Sequence, residues 1–144
     1  MKNLITLLFG VFVVLSVSAQ SEETTLPDGP AITFEQISFD FGDIHQGDKV
    51  EHIFKFENSG NQPLIITNVQ TTCGCTASEW PREPILPGET ANLKVNFDSA
   101  GKYGIQHKII SVISNAVLPI DAKAHIPSNY VKIIANVLPK EESN

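Results

Sequence analysis

Strict two-residue alternation is the feature that most constrains this chain. From Val50 to Glu57, the residues Val50, His52, Phe54 and Phe56 alternate with Glu51, Ile53, Lys55 and Glu57. From Thr90 to Phe97, Ala91, Leu93, Val95 and Phe97 alternate with Thr90, Asn92, Lys94 and Asn96. Tyr130 to Val137 repeats the pattern, with Val131, Ile133, Ala135 and Val137 on one side. Successive side chains of a strand point to opposite faces, so this period sorts apolar from polar residues across a half-buried sheet. A helix needs a period of about 3.6, and no ten-residue stretch of the domain shows it cleanly. Fifteen Ile against six Leu after residue 19 point the same way. β-Branched side chains suit a pleated surface.

Further strands are expected over Leu64–Val69 and in the Ile32–Phe41 region. Ile105–Ser114 is apolar on both faces, Ile110 and Val112 against Ile109 and Ile113. That predicts a central strand, or one bordering a second covered surface. Turn chemistry separates the strands. Asn58-Ser59-Gly60-Asn61 predicts a hairpin around Gly60. Pro87-Gly88 has the order of a type II turn, where Gly takes the positive φ. The series Pro81, Pro84, Pro87 would blunt a sheet edge, because Pro cannot donate to a ladder. Short strands at regular spacing predict an all-β sandwich over residues 31–138.

The 144 residues suffice for one domain of ordinary size. A formal net charge of −6 without a basic cluster argues against nucleic acid, whose affinity rests on neutralising phosphates. Residues 1–19 read as a secretory signal peptide. Lys2 starts it, an uncharged apolar run follows from Leu4 to Val17, and Val17-Ser18-Ala19 offers a cleavage site. The run is too short for a spanning helix of roughly 20 residues. No transmembrane span is therefore expected in the mature chain, which would start at Gln20. No Cys follows the run to take a lipid. The destination is outside the cytoplasm, in a periplasm or at the cell exterior. Residues 20–30 read as a flexible polar linker and residues 139–144 as a polar tail.

Cys73 and Cys75, in TTCGCT, are the two cysteines. An even count in an exported protein suggests a disulfide. In an extended chain, Cα atoms two residues apart lie roughly 6.6–7 Å apart, at or beyond the usual upper bound of about 6.8 Å. A bond would need a local turn, which Gly74 permits. It would close a small, strained ring and almost no loop, so fold stabilisation is a weak reason for it. If the chain stays extended, both sulfurs share one face and suit a soft metal such as copper(I). Two ligands are too few for structural zinc. A plain structural turn with buried thiols is the third reading.

Trp80, at the head of WPREPILP, closes the end of a core or serves as an exposed binding anchor. His52 shares the parity of Val50, Phe54 and Phe56, which predicts a hydrogen-bonded histidine at the core edge. His45, His107 and His125 have no spacing that marks a site. Asp40, Asp43 and Asp48 cluster without the D-x-D-x-D-G pattern of a calcium loop and read as a solvated turn. G-x-S-x-G, H-E-x-x-H and P-loop motifs are absent. Thiol chemistry at Cys73 and Cys75 is the one enzymatic option with a physical basis. It departs from the thioredoxin pattern, with one intervening residue and no following helix.

The order FKFENSGNQPLIITNVQTTCGCT, EWPREPILPGE, NLKVNFD and a strand ending ISN carries a family likeness. It resembles a family of small exported bacterial proteins of unknown function marked by a Cys-Gly-Cys-Thr signature. That family is similar to abnormal-spindle and Hydin-type domains, and more loosely to major sperm protein and PapD-like sandwiches. The likeness spans roughly Ile32 to Val137. It implies an immunoglobulin-like β-sandwich of about seven to eight mostly antiparallel strands, with no established activity or cofactor. The signature falls on Cys73, Gly74, Cys75 and Thr76, with Trp80, Pro87 and Gly88 nearby. A short extra strand is expected around Pro119–Ala124. The function expected is a non-enzymatic exported module that binds a protein partner. The alternative is a thiol-redox or copper-handling protein using Cys73 and Cys75.

Overall fold

The alternating segments pair into two four-stranded sheets. The computed structural model describes residues 28–117 and 129–140, which form eight strands and no helix. None of it is therefore a helix long and apolar enough to cross a membrane. The strands are β1 (Ile32–Phe34), β2 (Ser38–His45), β3 (Lys49–Asn58), β4 (Ile66–Thr71), β5 (Thr76–Glu79), β6 (Thr90–Asp98), β7 (Gly104–Ser114) and β8 (Tyr130–Leu138). One sheet runs β1-β3-β6-β5 and the other β2-β8-β7-β4. Pairing is antiparallel except between β2 and β8.

The two inner faces make the core. Phe54 and Phe56 of β3 lie opposite Leu93 and Ala91 of β6. Val131, Ile133, Ala135 and Val137 of β8 are all buried, as are Ile110 and Val112 of β7. Each large apolar side chain so buried stabilises the fold by about 1.5–3 kcal/mol relative to exposure. A one-residue slip of β3 or β6 would turn its whole apolar set to solvent, so the register is tightly specified.

Two local expectations change. The Asn58–Asn61 segment is not a hairpin: it leads from β3 in one sheet to β4 in the other. The strands expected in the Ile32–Phe41 region are present as β1 and β2, in different sheets. A strand unforeseen in the sequence, β5, pairs with the end of β6. It ends at Glu79, just before Pro81. The extra strand expected around Pro119–Ala124 lies outside the described residues.

The corner after β3 is built on one buried side chain. Asn58 is fully buried. Its Nδ2 donates to the carbonyls of Gln62 and Ile85, both at 2.8 Å. Its Oδ1 accepts from the amides of Ala31 (3.3 Å) and Gly60 (3.1 Å). Its own backbone accepts from Gly88 and donates to Glu89. A hairpin would bring β4 beside β3, but these bonds hold the entry to β1 and the β5–β6 connection there instead. Gly60 is required for space. A Cβ there would lie 2.1 Å from the Gly29 carbonyl oxygen and 2.5 Å from the Ala31 nitrogen.

Pro87-Gly88 forms the expected turn. The Glu89 amide donates to the Leu86 carbonyl at 2.9 Å, and Gly88 has φ of 79°. Replacing Asn58 with Ala leaves two amides and two carbonyls without that partner. Buried unsatisfied groups cost about 1–3 kcal/mol each, partly relieved by relaxation. Asn58→Ala is expected to lower unfolding stability by about 3 kcal/mol, read as a shifted urea midpoint at constant slope.

Candidate functional site

The Cys73–Cys75 turn sits where the chain crosses from β4, an edge of one sheet, to β5, an edge of the other. The two sulfurs are joined as a disulfide, with the Cα atoms 5.4 Å apart. The segment is a turn and not a strand, so the extended arrangement with both sulfurs on one strand face is not found. Gly74 is exposed, is not among the glycines of positive φ, and has open space where a Cβ would stand. The turn thus does not draw on the special freedom of glycine.

Hydrogen bonds hold the turn on both sides. Thr71 Oγ1 donates to the Cys73 carbonyl at 2.8 Å and lies 3.3 Å from the Thr76 carbonyl. The Thr72 amide donates to Ile109 O, and the Asp98 amide to Cys75 O. Thr76 is buried, and its Oγ1 lies 3.8 Å from Cys73 Sγ. A disulfide sulfur carries no proton, so the hydroxyl is the donor of that weak bond. Cys75 and Gly74 line a groove of about 360 Å³ with Lys49, Glu51, Asn96 and Asp98. Lys49 Nζ pairs with Asp98 at 3.6 Å on its wall. Joined sulfurs offer no thiolate to a metal, and no group of three or more His, Cys, Asp or Glu among the described residues is arranged to hold an ion.

Trp80 is half-buried and packs against the core, with the Arg82 guanidinium 3.9 Å above its ring. Its Nε1 and the Ser78 hydroxyl are buried with no partner among the described residues.

His52 stands at the core edge as its parity suggests, but rings hold it where a hydrogen bond was expected. It stacks on Phe39 with centroids 3.6 Å apart and meets Phe54 edge-on at 4.6 Å. Burial pushes its pKa below the usual histidine value. The three acids do not converge. Asp40 caps the Gly42 amide, Asp48 caps the His45 amide, and Asp43 accepts from Asn136 Nδ2. His125 lies outside the described residues.

The two outer faces differ in chemistry. On β3, β5 and β6 the outer face is mostly charged, with one exposed apolar residue, Ile53, opposite Lys94; Lys94 lies 3.3 Å from Glu51 and 3.8 Å from Glu79. On the other sheet, central strand β7 points Ile105 (68% exposed), Ile109 (42%) and Ile113 (39%) outward. Cross-strand pairing sets His107 beside Ile134, Ile109 beside Lys132 and Ser111 beside the exposed Tyr130 of β8. The centrality expected of Ile105–Ser114 is observed, and no described residue covers its second face. Sequence alternation marked that face as apolar; nothing in it marked the face as open.

Residues 32–126 match the family described as protein of unknown function (DUF1573). The chain belongs to that family. No curated protein sequence matches it. Among solved structures, the DUF1573 chain is similar to a protein of unknown function from Porphyromonas gingivalis W83, at 21% identity and a TM-score of 0.59. The alignment covers 81% of this chain and 51% of that one, so the chain spans about half its length. An ASH/PapD-like domain of human CEP192 matches at 13% identity and a TM-score of 0.59, covering 89% of this chain and 99% of that domain. The secreted serine protease VesC of Vibrio cholerae matches at 12% identity and a TM-score of 0.51, over 75% of this chain and only 23% of the protease. These likenesses establish an immunoglobulin-like, PapD-like fold and nothing more.

Two expectations follow for this DUF1573 domain. An Ala at Gly88 must adopt a left-handed backbone at about 1–2 kcal/mol, whereas Gly74→Ala should stay within about 0.5 kcal/mol. Paired thermal melts check this. The second concerns His52. As pH falls through the unfolded value of about 6.5, the unfolded chain takes up a proton that the folded site resists. Stability therefore drops over that window and levels off once the lower folded pKa is passed. Urea midpoints between pH 7 and pH 5 should show this slope, and His52→Gln should flatten it.

Proposed function

We propose that this DUF1573 chain is an exported, non-enzymatic interaction module. Its contact surface is the outer face of the β2-β8-β7-β4 sheet, and its partner is a protein with a flat apolar patch. The observation that carries this reading is the asymmetry of the faces. A sheet face that meets only water alternates to polar residues, as the outer face of β3 largely does with Lys49, Glu51, Lys55 and Glu57 around a single exposed Ile53. The β7 face instead exposes Ile105, Ile109 and Ile113 along its length, with His107 and Ser111 between them. Around them stand Lys132, Asn136, Asp40 and Asp43. An apolar centre with a polar surround is the anatomy of a recognition patch. The fold supports the reading too, since a sandwich offers a rigid frame that needs no cofactor. Export rests on the leader-like residues 1–19.

Photo-crosslinking in the native cell tests the surface. A crosslinker at Ile109 or Ile113 should give one discrete adduct, and one at Lys55 on the opposite face should not. Ile105→Lys should abolish that adduct with thermal stability within about 0.5 kcal/mol of the parent, because the side chain is exposed. Equal adducts from both faces, or none from Ile109 and Ile113, would overturn the reading.

A further inference from the structure

The Cys73–Cys75 bond closes a turn that is already held without it. A loop this short is the kind whose cross-linking restricts the unfolded chain least. The Thr71 hydroxyl, the Thr72–Ile109 bond and the Asp98–Cys75 bond fix the same backbone independently. The bond is also reachable. Cys75 lines the open groove of about 360 Å³ at the Lys49–Asp98 end of the sandwich. The two sulfurs are not equivalent, since Cys73 Sγ receives the buried Thr76 hydroxyl at 3.8 Å.

We propose that this pair is a reversible thiol–disulfide exchange site, with a dithiol as its electron donor and Thr76 as its positioning residue. A donor thiolate attacks Cys75 Sγ from the groove, forming an S–S bond to it and breaking the Cys75–Cys73 bond. The bond's electron pair leaves on Cys73, whose thiolate is stabilised by the Thr76 hydroxyl. The donor's second thiolate then attacks the donor sulfur of the mixed disulfide and releases Cys75 as a thiolate. The donor ends as a disulfide, two electrons lower. The protein ends as a dithiol, its protons supplied by the donor's thiols. A thiol leaves faster the better its thiolate is stabilised, which assigns the asymmetry to Cys73 as leaving group and Cys75 as the sulfur attacked. The inference is independent of the apolar face, which lies on the other sheet.

The test uses the purified protein, with dithiothreitol as donor and glutathione as the trapping thiol. Mass after alkylation should show full reduction without denaturant, and reoxidation once the donor is removed and oxidised glutathione is added as the electron acceptor, with far-UV circular dichroism unchanged throughout. Glutathione should be trapped on Cys75. Thr76→Val should be reduced about threefold to tenfold more slowly, with Thr76→Ser reduced as fast as the parent. In the reduced protein, Thr76→Val should also move the Cys73 alkylation profile to higher pH. A need for denaturant, loss of fold on reduction, glutathione on Cys73, or equal rates for Thr76→Val and the parent would each overturn the proposal. If Thr76→Val does not fold, the glutathione position in the parent decides alone. Because the apolar-face reading is tested by crosslinking at β7, failure of one does not disturb the other.

Discussion

One buried carboxamide organises the end of the sandwich where most of the chain turns. Asn58 offers two donors and an acceptor oxygen, and all are engaged. Its four partners span three segments: Ala31 in the approach to β1, Gly60 and Gln62 in the corner itself, and Ile85 in the connection into β6. Water could satisfy these backbone groups only if the end were open. Asn58 lets it stay closed, so Leu64 and Ile85 can pair and bury completely between the sheets. Gly60 then has no room for a side chain because the Gly29–Ala31 backbone occupies the space where one would stand. The polar network and the apolar core are thus one construction.

At the opposite end, one hydroxyl ties distant segments together and side chains cap the turns. Ser99 is buried, and its hydroxyl contacts the carbonyls of His45 and Asp48 at 2.8 and 2.9 Å. Asp48 and Thr71 cap their own turns. Covalent linkage appears only here, where backbone bonding already suffices. The two ends therefore differ in construction: one is sealed by the buried Asn58 carboxamide, and the other carries the Cys73–Cys75 disulfide.

How much of this was legible depended on which physical signal a segment carries. β3, β6 and β8 were readable because their burial is one-sided, which period-two alternation encodes directly. β7 was readable as central because both of its faces are apolar. β5 was not: TASE is four residues of small and polar type, and its strand state comes from pairing with β6. The corner at Asn58 was read as a hairpin because turn residues report that the chain bends, not which sheet it enters. Asn58 itself looked like turn chemistry, since a buried hydrogen-bonding hub leaves no periodic trace. At the candidate site, the cysteines and Thr76 were found by type. Their inequivalence was hidden, because it arises from one side-chain contact across the turn. Glycine at 74 was credited with a backbone role that the turn does not ask of it.

The parallel pairing of β2 with β8 has a consequence for how the chain reaches this state. β8 sits between β2 and β7, so the second sheet lacks its middle until one of the last strands of the chain arrives. Ser38 must find Lys132 across nearly the whole domain. Closing so long a loop costs entropy before any contact rewards it, which slows folding of non-local β topologies. A chain emerging from its N-terminus would hold β2 and β7 as unpaired edges for that interval, with the isoleucines of β7 uncovered on both faces. During synthesis, the domain is therefore most exposed to misassociation just before β8 is delivered.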